Sequence, residues 1–157
     1  MKEKFKGVIQ AKKGTIIKVG DLAGFSMPGE EDTYISKNVI DPEICDSTKV
    51  QVNHGTLKAG KGLLGGTHDC PYDEIYYILR GRAKLTLGEE EYEVGPDTTV
   101  YIPCGTFHKL DNTNGDTDLE IITIWHLPLK EGANGIYDAR KKAWGGSSFK
   151  KRVNNLH

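Results

Sequence analysis

Apolar and polar residues alternate over short runs along most of this chain, and glycine, proline and acidic residues punctuate the runs. Alternation over a few residues is the pattern of a strand whose two faces differ in environment. It predicts strands at Thr15–Val19, Thr33–Ile40 and Lys49–Lys58. Further strands follow at Glu74–Leu79, Ala83–Leu87, Glu91–Val94, Thr99–Ile102, Phe107–Leu110 and Leu119–Leu127. Gly88-Glu89-Glu90 reads as a hairpin turn. The runs Ile75-Tyr76-Tyr77-Ile78-Leu79 and Ile121-Ile122-Thr123-Ile124-Trp125 are apolar at both parities. Both faces of those strands should therefore be covered, one by a core and the other by a second sheet or a subunit. Ile136–Trp144 has a helical pattern, and Gly145-Gly146 supplies its stop. The expected fold class is all-β, an antiparallel barrel or sandwich with a short C-terminal helix.

Composition narrows the function. The chain has 157 residues, enough for one domain with a sizeable core, and 19 glycines, as many tight turns require. A formal net charge of −1 argues against a dedicated nucleic-acid binder. No apolar run approaches the roughly 20 residues that span a bilayer. Met-Lys-Glu-Lys-Phe-Lys lacks the apolar core of a secretory signal, so a cytoplasmic protein is expected. Three cysteines are no disulfide framework. Arg140, Lys141, Lys142, Lys150, Lys151 and Arg152 give a basic tail, read as a solvated end.

The chemistry concentrates in two stretches. The first is Gly62-x5-His68-x-Cys70-x3-Glu74-x6-Gly81, and the second is Pro103-x-Gly105-x2-His108-x3-Asn112. Residues two apart on a strand share a face, so His68 and Cys70 are expected to point the same way, with Glu74 at the same parity. Gly81 supplies a turn into the next strand. Pro103 ends a strand, Gly105 turns the backbone and His108 opens the strand after it. Two imidazoles, a carboxylate and a thiol are the ligands of a divalent transition metal.

The two stretches resemble the motifs of the cupin superfamily, G-x5-H-x-H-x3/4-E-x6-G and G-x5-P-x-G-x2-H-x3-N. Cys70 stands where that family usually has its second histidine. The segment Gly95–Ile102 before Pro103 is longer than the usual spacing, so a bulge or longer turn is expected there. The resemblance implies an antiparallel double-stranded β-helix, a jelly-roll barrel, with a metal inside and a homodimeric assembly. On this reading residues 1–49 are edge strands packing on the barrel or on a dimer partner, residues 50–128 are the barrel, and residues 129–157 are the C-terminal helix and basic tail.

His68, Glu74 and His108 are the expected metal ligands, with Cys70 either a fourth ligand or a small buried spectator. A bound thiolate favours zinc or iron. Without it, two histidines and one carboxylate suit iron(II) and leave positions for substrate or dioxygen. Manganese and nickel remain open as well. Cys70 and Cys104 could instead form a redox-sensitive pair, while Cys45 is incidental. His54 and His126 are the candidate general bases, provided that they face inward. Two functions follow. One is a metalloenzyme acting on a small polar organic molecule by dioxygenase, isomerase, decarboxylase or lyase chemistry. The other is a non-catalytic domain that binds or senses a metal or small ligand.

Overall fold

Eleven strands organise the computed structural model of this chain, which describes residues 6–22, 24, 26, 32–68 and 70–126. They are β1 (Val8–Ala11), β2 (Gly14–Ile17), β3 (Tyr34–Ile40), β4 (Gln51–Leu57), β5 (Lys61–Gly62), β6 (Glu74–Arg80), β7 (Ala83–Leu87), β8 (Glu90–Val94), β9 (Thr99–Ile102), β10 (His108–Asn112) and β11 (Leu119–Trp125). A 3-10 turn at Val19–Asp21 and one helical turn, α1 (Pro42–Cys45), complete the described elements. The C-terminal helix expected at Ile136–Trp144 lies outside the described residues.

Every named strand pairing is antiparallel, and two sheets form a jelly roll. One has the order β5-β10-β7-β8 and the other β3-β4-β11-β6-β9, while β1 and β2 make a separate hairpin. β3 is thus one edge of the five-stranded sheet, and β5 is an edge of the four-stranded one. The extra residues before Pro103 form a turn at Pro96 and Asp97, with Asp97 at φ 60°. Gly81 is also left-handed, at φ 82°, and a Cβ there would meet the Asp118 carbonyl. Only glycine accommodates both demands at that turn.

The alternation in sequence becomes alternation in burial. On β4, Gln51, Asn53, Gly55 and Leu57 are buried, and on β11 so are Leu119, Ile121, Thr123 and Trp125. The main core takes Leu57, Ile78, Ile102, Leu119 and Ile121 from one sheet and Ala83, Leu85, Val94 and Leu110 from the other. Truncating one such fully buried aliphatic to alanine costs about 2–5 kcal/mol. A smaller cluster of Val8, Leu22, Val39 and Ile44 seats the N-terminal hairpin and α1. Asp41 caps α1 by accepting the Ile44 N–H at 2.7 Å.

The interior is not uniformly apolar. Leu57 and Leu119 pair at one end of their strands, whereas Gln51 and Trp125 pair at the other, with Glu74 next to Trp125. The buried polar residues Gln51, Asn53, Thr123, Glu74, His68 and His108 gather toward that second end. Burying so many polar groups in a small core is unfavourable unless they are bonded. Their gathering at one end is what marks the site.

Candidate metal centre

Three elements bring the ligands together. Glu74 opens β6 in the five-stranded sheet and His108 opens β10 in the four-stranded sheet. His68 lies in the segment that follows an isolated bridge between Gly66 and His108. All three are buried: His68 is 8% exposed, Glu74 1% and His108 5%. His68 Nε2 lies 2.9 Å from Glu74 Oε2 and 2.8 Å from His108 Nε2. His108 Nε2 lies 3.2 Å from the same carboxylate oxygen. His108 Nδ1 is 3.0 Å from the Thr106 carbonyl, to which it donates, leaving Nε2 as the coordinating nitrogen.

Three donor atoms converging this closely in a buried place fit a divalent ion. Ligand atoms held at right angles about an ion at ~2.1 Å lie about 3.0 Å apart. The observed edges of 2.8, 2.9 and 3.2 Å bracket that value. The donor set is two imidazoles and one carboxylate, which suits a first-row transition metal. Trp125, fully buried, meets the His68 ring edge-on at a centroid distance of 4.5 Å and backs the site.

The three ligands form one wall of a cavity of about 240 Å³. Its other walls come from Tyr34 and Thr33 at the β3 edge, residues 62–67 beyond β5, and Tyr76, Leu110, Ile121 and Thr123 inside the roll. Lys109 lines it as well. The cavity therefore lies between the edge strands of the two sheets.

Three expectations about site residues need correction. Cys70 does not point with His68: it is exposed and disulfide-bonded to Cys104, with the Cα atoms 4.9 Å apart. The parity argument assumed a strand through His68 and Cys70, but that segment is irregular, with Pro71 following at once. A sulfur consumed in a disulfide is no thiolate ligand, so His68, Glu74 and His108 remain as the candidate ligands. His54 lies on the other face of β4 from Asn53, 3.7 Å from Glu120, which also pairs with Arg80. His126 is exposed just past β11, and its ring centroid is 6.5 Å from that of Tyr72. Neither histidine lines the cavity.

Residues that do line it and were missed include Tyr34 and Thr123. Tyr34 had a signal in the sequence. Gly55 interrupts the inward-facing series of β4, and a glycine inside a strand often marks a close approach. The neighbour that approaches is the Tyr34 ring: a Cβ on Gly55 would lie 2.7 Å from Tyr34 Cζ and overlap its hydroxyl.

Around the site, Asp73 accepts from the Tyr101 hydroxyl at 2.7 Å and from the Cys104 N–H at 2.8 Å. These bonds hold its carboxyl below the usual range and push the Tyr101 phenol above its own. Asn112, the last residue of the second motif, donates to the Thr117 carbonyl at 2.9 Å and the Lys58 carbonyl at 3.2 Å. It serves to brace loops and stands apart from the ligands.

Comparison with known proteins agrees with this architecture. The Cupin domain family matches residues 54–125. An uncharacterized protein of Methanocaldococcus jannaschii, MJ1618, is 34% identical over 98 residues, covering 62% of this chain and 77% of that protein. Mannose-1-phosphate guanylyltransferase RfbM of Salmonella typhimurium is 35% identical over 69 residues, 44% of this chain but only 14% of that enzyme. Among solved structures, a predicted oxalate decarboxylase of Thermotoga maritima superposes with a TM-score of 0.62 at 18% identity, covering 71% of this chain and 98% of the other. KdgF from a Halomonas species gives 0.58 at 16% identity, covering 71% and 91%. At such identities the structural likeness speaks for the fold alone.

Proposed function

The chain belongs to the cupin family, and from that premise we propose that it is a metal-dependent enzyme acting on a small polar organic molecule. The observation that carries the reading is the convergence of His68, Glu74 and His108 on the wall of a cavity. A structural metal site is typically closed by four protein ligands, whereas three ligands beside a cavity leave room for a substrate oxygen. When bound, a divalent transition ion such as iron, zinc, manganese or nickel supplies Lewis acidity toward that oxygen. The chain's own residues do the rest. Tyr76, Leu110 and Ile121 exclude water, and Thr123 and Tyr34 offer hydroxyls. With His54 and His126 turned away, proton transfer falls to groups in the cavity, of which Tyr34 is the candidate on the wall formed by β3.

The test is metal content followed by turnover. Protein purified without an affinity tag should carry one divalent ion per chain, and His108→Ala should lose most of it. Restoring that ion to stripped protein should restore activity toward members of a panel of hydroxy acids, keto acids and sugar acids. A His108→Ala variant that keeps a full complement of metal sinks the assignment.

We also infer a homodimer. Ile75, Ile122 and Ile124 lie on the outer face of the five-stranded sheet with Tyr77, Leu79 and Tyr101, which are 39%, 43% and 58% exposed. A second copy is the occupant that fits such a face. Light scattering at micromolar concentration should give twice the chain mass, and a monomer there counts against the dimer.

A further inference from the structure

We propose that Cys70 and Cys104 form a thiol–disulfide exchange site that sets how firmly the metal is held. The proposal rests on the metal reading above. The disulfide joins the segment bearing His68 to the segment leading into His108, across a sequence separation of 34 residues. Cys70 follows His68 by two residues, and Cys104 precedes His108 by four.

The three ligands are not anchored alike. Glu74 sits in a ladder between Trp125 and Ile102. His108 pairs with Leu87 and is bridged to Gly66. His68 belongs to no strand. Its segment is fastened to the second one before His68 by the Gly66–His108 bridge, and at and after it by the Gly105 N–H, which donates to the His68 carbonyl at 2.6 Å, and by the disulfide. A covalent link across such a segment restricts the conformations it can visit. Opening the link therefore loosens His68 while Glu74 and His108 stay in their ladders.

The sulfurs also differ in access. Cys70 is exposed and Cys104 half-buried, so Cys70 Sγ is the atom a reductant reaches. The co-reactant is a dithiol. Its thiolate attacks Cys70 Sγ, the disulfide bond breaks, and the electron pair leaves on Cys104, which takes up a proton. The second thiol of the reductant then attacks the mixed disulfide and releases Cys70, which is protonated in turn. In sum, the protein disulfide gains two electrons and two protons, and the dithiol becomes a disulfide. Reoxidation reverses the sequence and fastens His68 again. Cys45 takes no part: it packs in the N-terminal cluster, its Sγ 3.4 Å from the Asp41 carbonyl.

The experiment measures zinc release to a chromophoric chelator from oxidised protein and from protein reduced with dithiothreitol and desalted without air. Before reduction, denatured protein should show one reactive thiol, that of Cys45. Reduction should speed zinc release about tenfold or more. The variant carrying Cys70→Ser and Cys104→Ser should release zinc at the fast rate with or without reductant. Equal rates in the two wild-type states, slower release after reduction, or three reactive thiols before it would each overturn the proposal. Should the protein bind none of zinc, iron, manganese or nickel in either state, the metal reading fails by itself. Hydrogen exchange of the Gly105 amide in metal-free protein then decides the clasp: faster exchange on reduction supports it, and unchanged exchange refutes it.

Discussion

Tyr34 reaches the cavity because residue 55 has no side chain. The ring takes the space beside Gly55 that a Cβ would fill, and it does so from β3, a strand outside the matched family segment. Gly55→Ala must therefore push the ring aside, an overpacking cost of about 1–3 kcal/mol. In a Tyr34→Ala background the same change has no ring to displace and should be nearly free. Urea denaturation of the four proteins in this cycle should give a coupling of about 1 kcal/mol or more. Additive effects would show that ring and glycine are not in contact. Tyr34→Phe keeps the ring and removes only the hydroxyl, so it should leave metal content and fold intact. Against a substrate that uses the hydroxyl, it should lower kcat/KM by about tenfold.

At the scale of elements, regular alternation was legible and irregular backbone was not. Ala83–Leu87 and Thr99–Ile102 have the boundaries that their pattern predicts, and seven other predicted strands lie within a few residues of the observed ones. β1 and β5 were missed; β5 has only two residues, and its pairing rather than its composition makes it a strand. Glu74 and His108 were placed correctly because each opens a patterned strand, with Gly105 at φ 79° turning the chain ahead of His108. Cys70 was misplaced because a parity rule was carried through a segment with no ladder to enforce it. For His54 the sequence left the question open, because parity alone does not say which face of β4 looks inward. The buried Asn53 on one side and Glu120 beside His54 on the other settle it.

The turn between β4 and β5 offers a test of how loops brace these strands. Asp118, just before β11, accepts from the Lys58 ammonium at 2.8 Å and the Ala59 N–H at 3.0 Å. Those hydrogen bonds, the one from Lys58 foremost, hold its carboxyl below its ordinary value. A carboxyl depressed in the folded state contributes stability that is complete above the unfolded-state pKa, here about 3.8, and is lost as pH falls through the folded-state value. Asp118→Asn removes that contribution at neutral pH and also removes its acid sensitivity. Stability curves of variant and wild type should thus converge as pH drops below about 4. Curves that stay parallel through that range would contradict the argument.

For the whole molecule, the proposed metal centre would be a joint between the two sheets. Glu74 comes from the five-stranded sheet, His108 from the four-stranded one, and His68 from the segment that passes between them. An ion held by all three ties the halves of the roll together at the end where the core turns polar. Since the unfolded chain does not assemble these ligands, ion binding stabilises the folded state by mass action, about 2.7 kcal/mol at a free concentration a hundredfold above Kd. For a domain of this size each kcal/mol moves Tm by about 2–4 °C, so stripping the metal should lower Tm by about 5–10 °C. Glu74→Gln keeps the shape of the side chain but loses the anionic ligand, and its Tm should no longer respond to added metal. Calorimetry of both proteins with chelator and with excess ion checks the argument. A wild-type Tm that ignores the chelator, in protein shown to give up its ion to it, would contradict the argument.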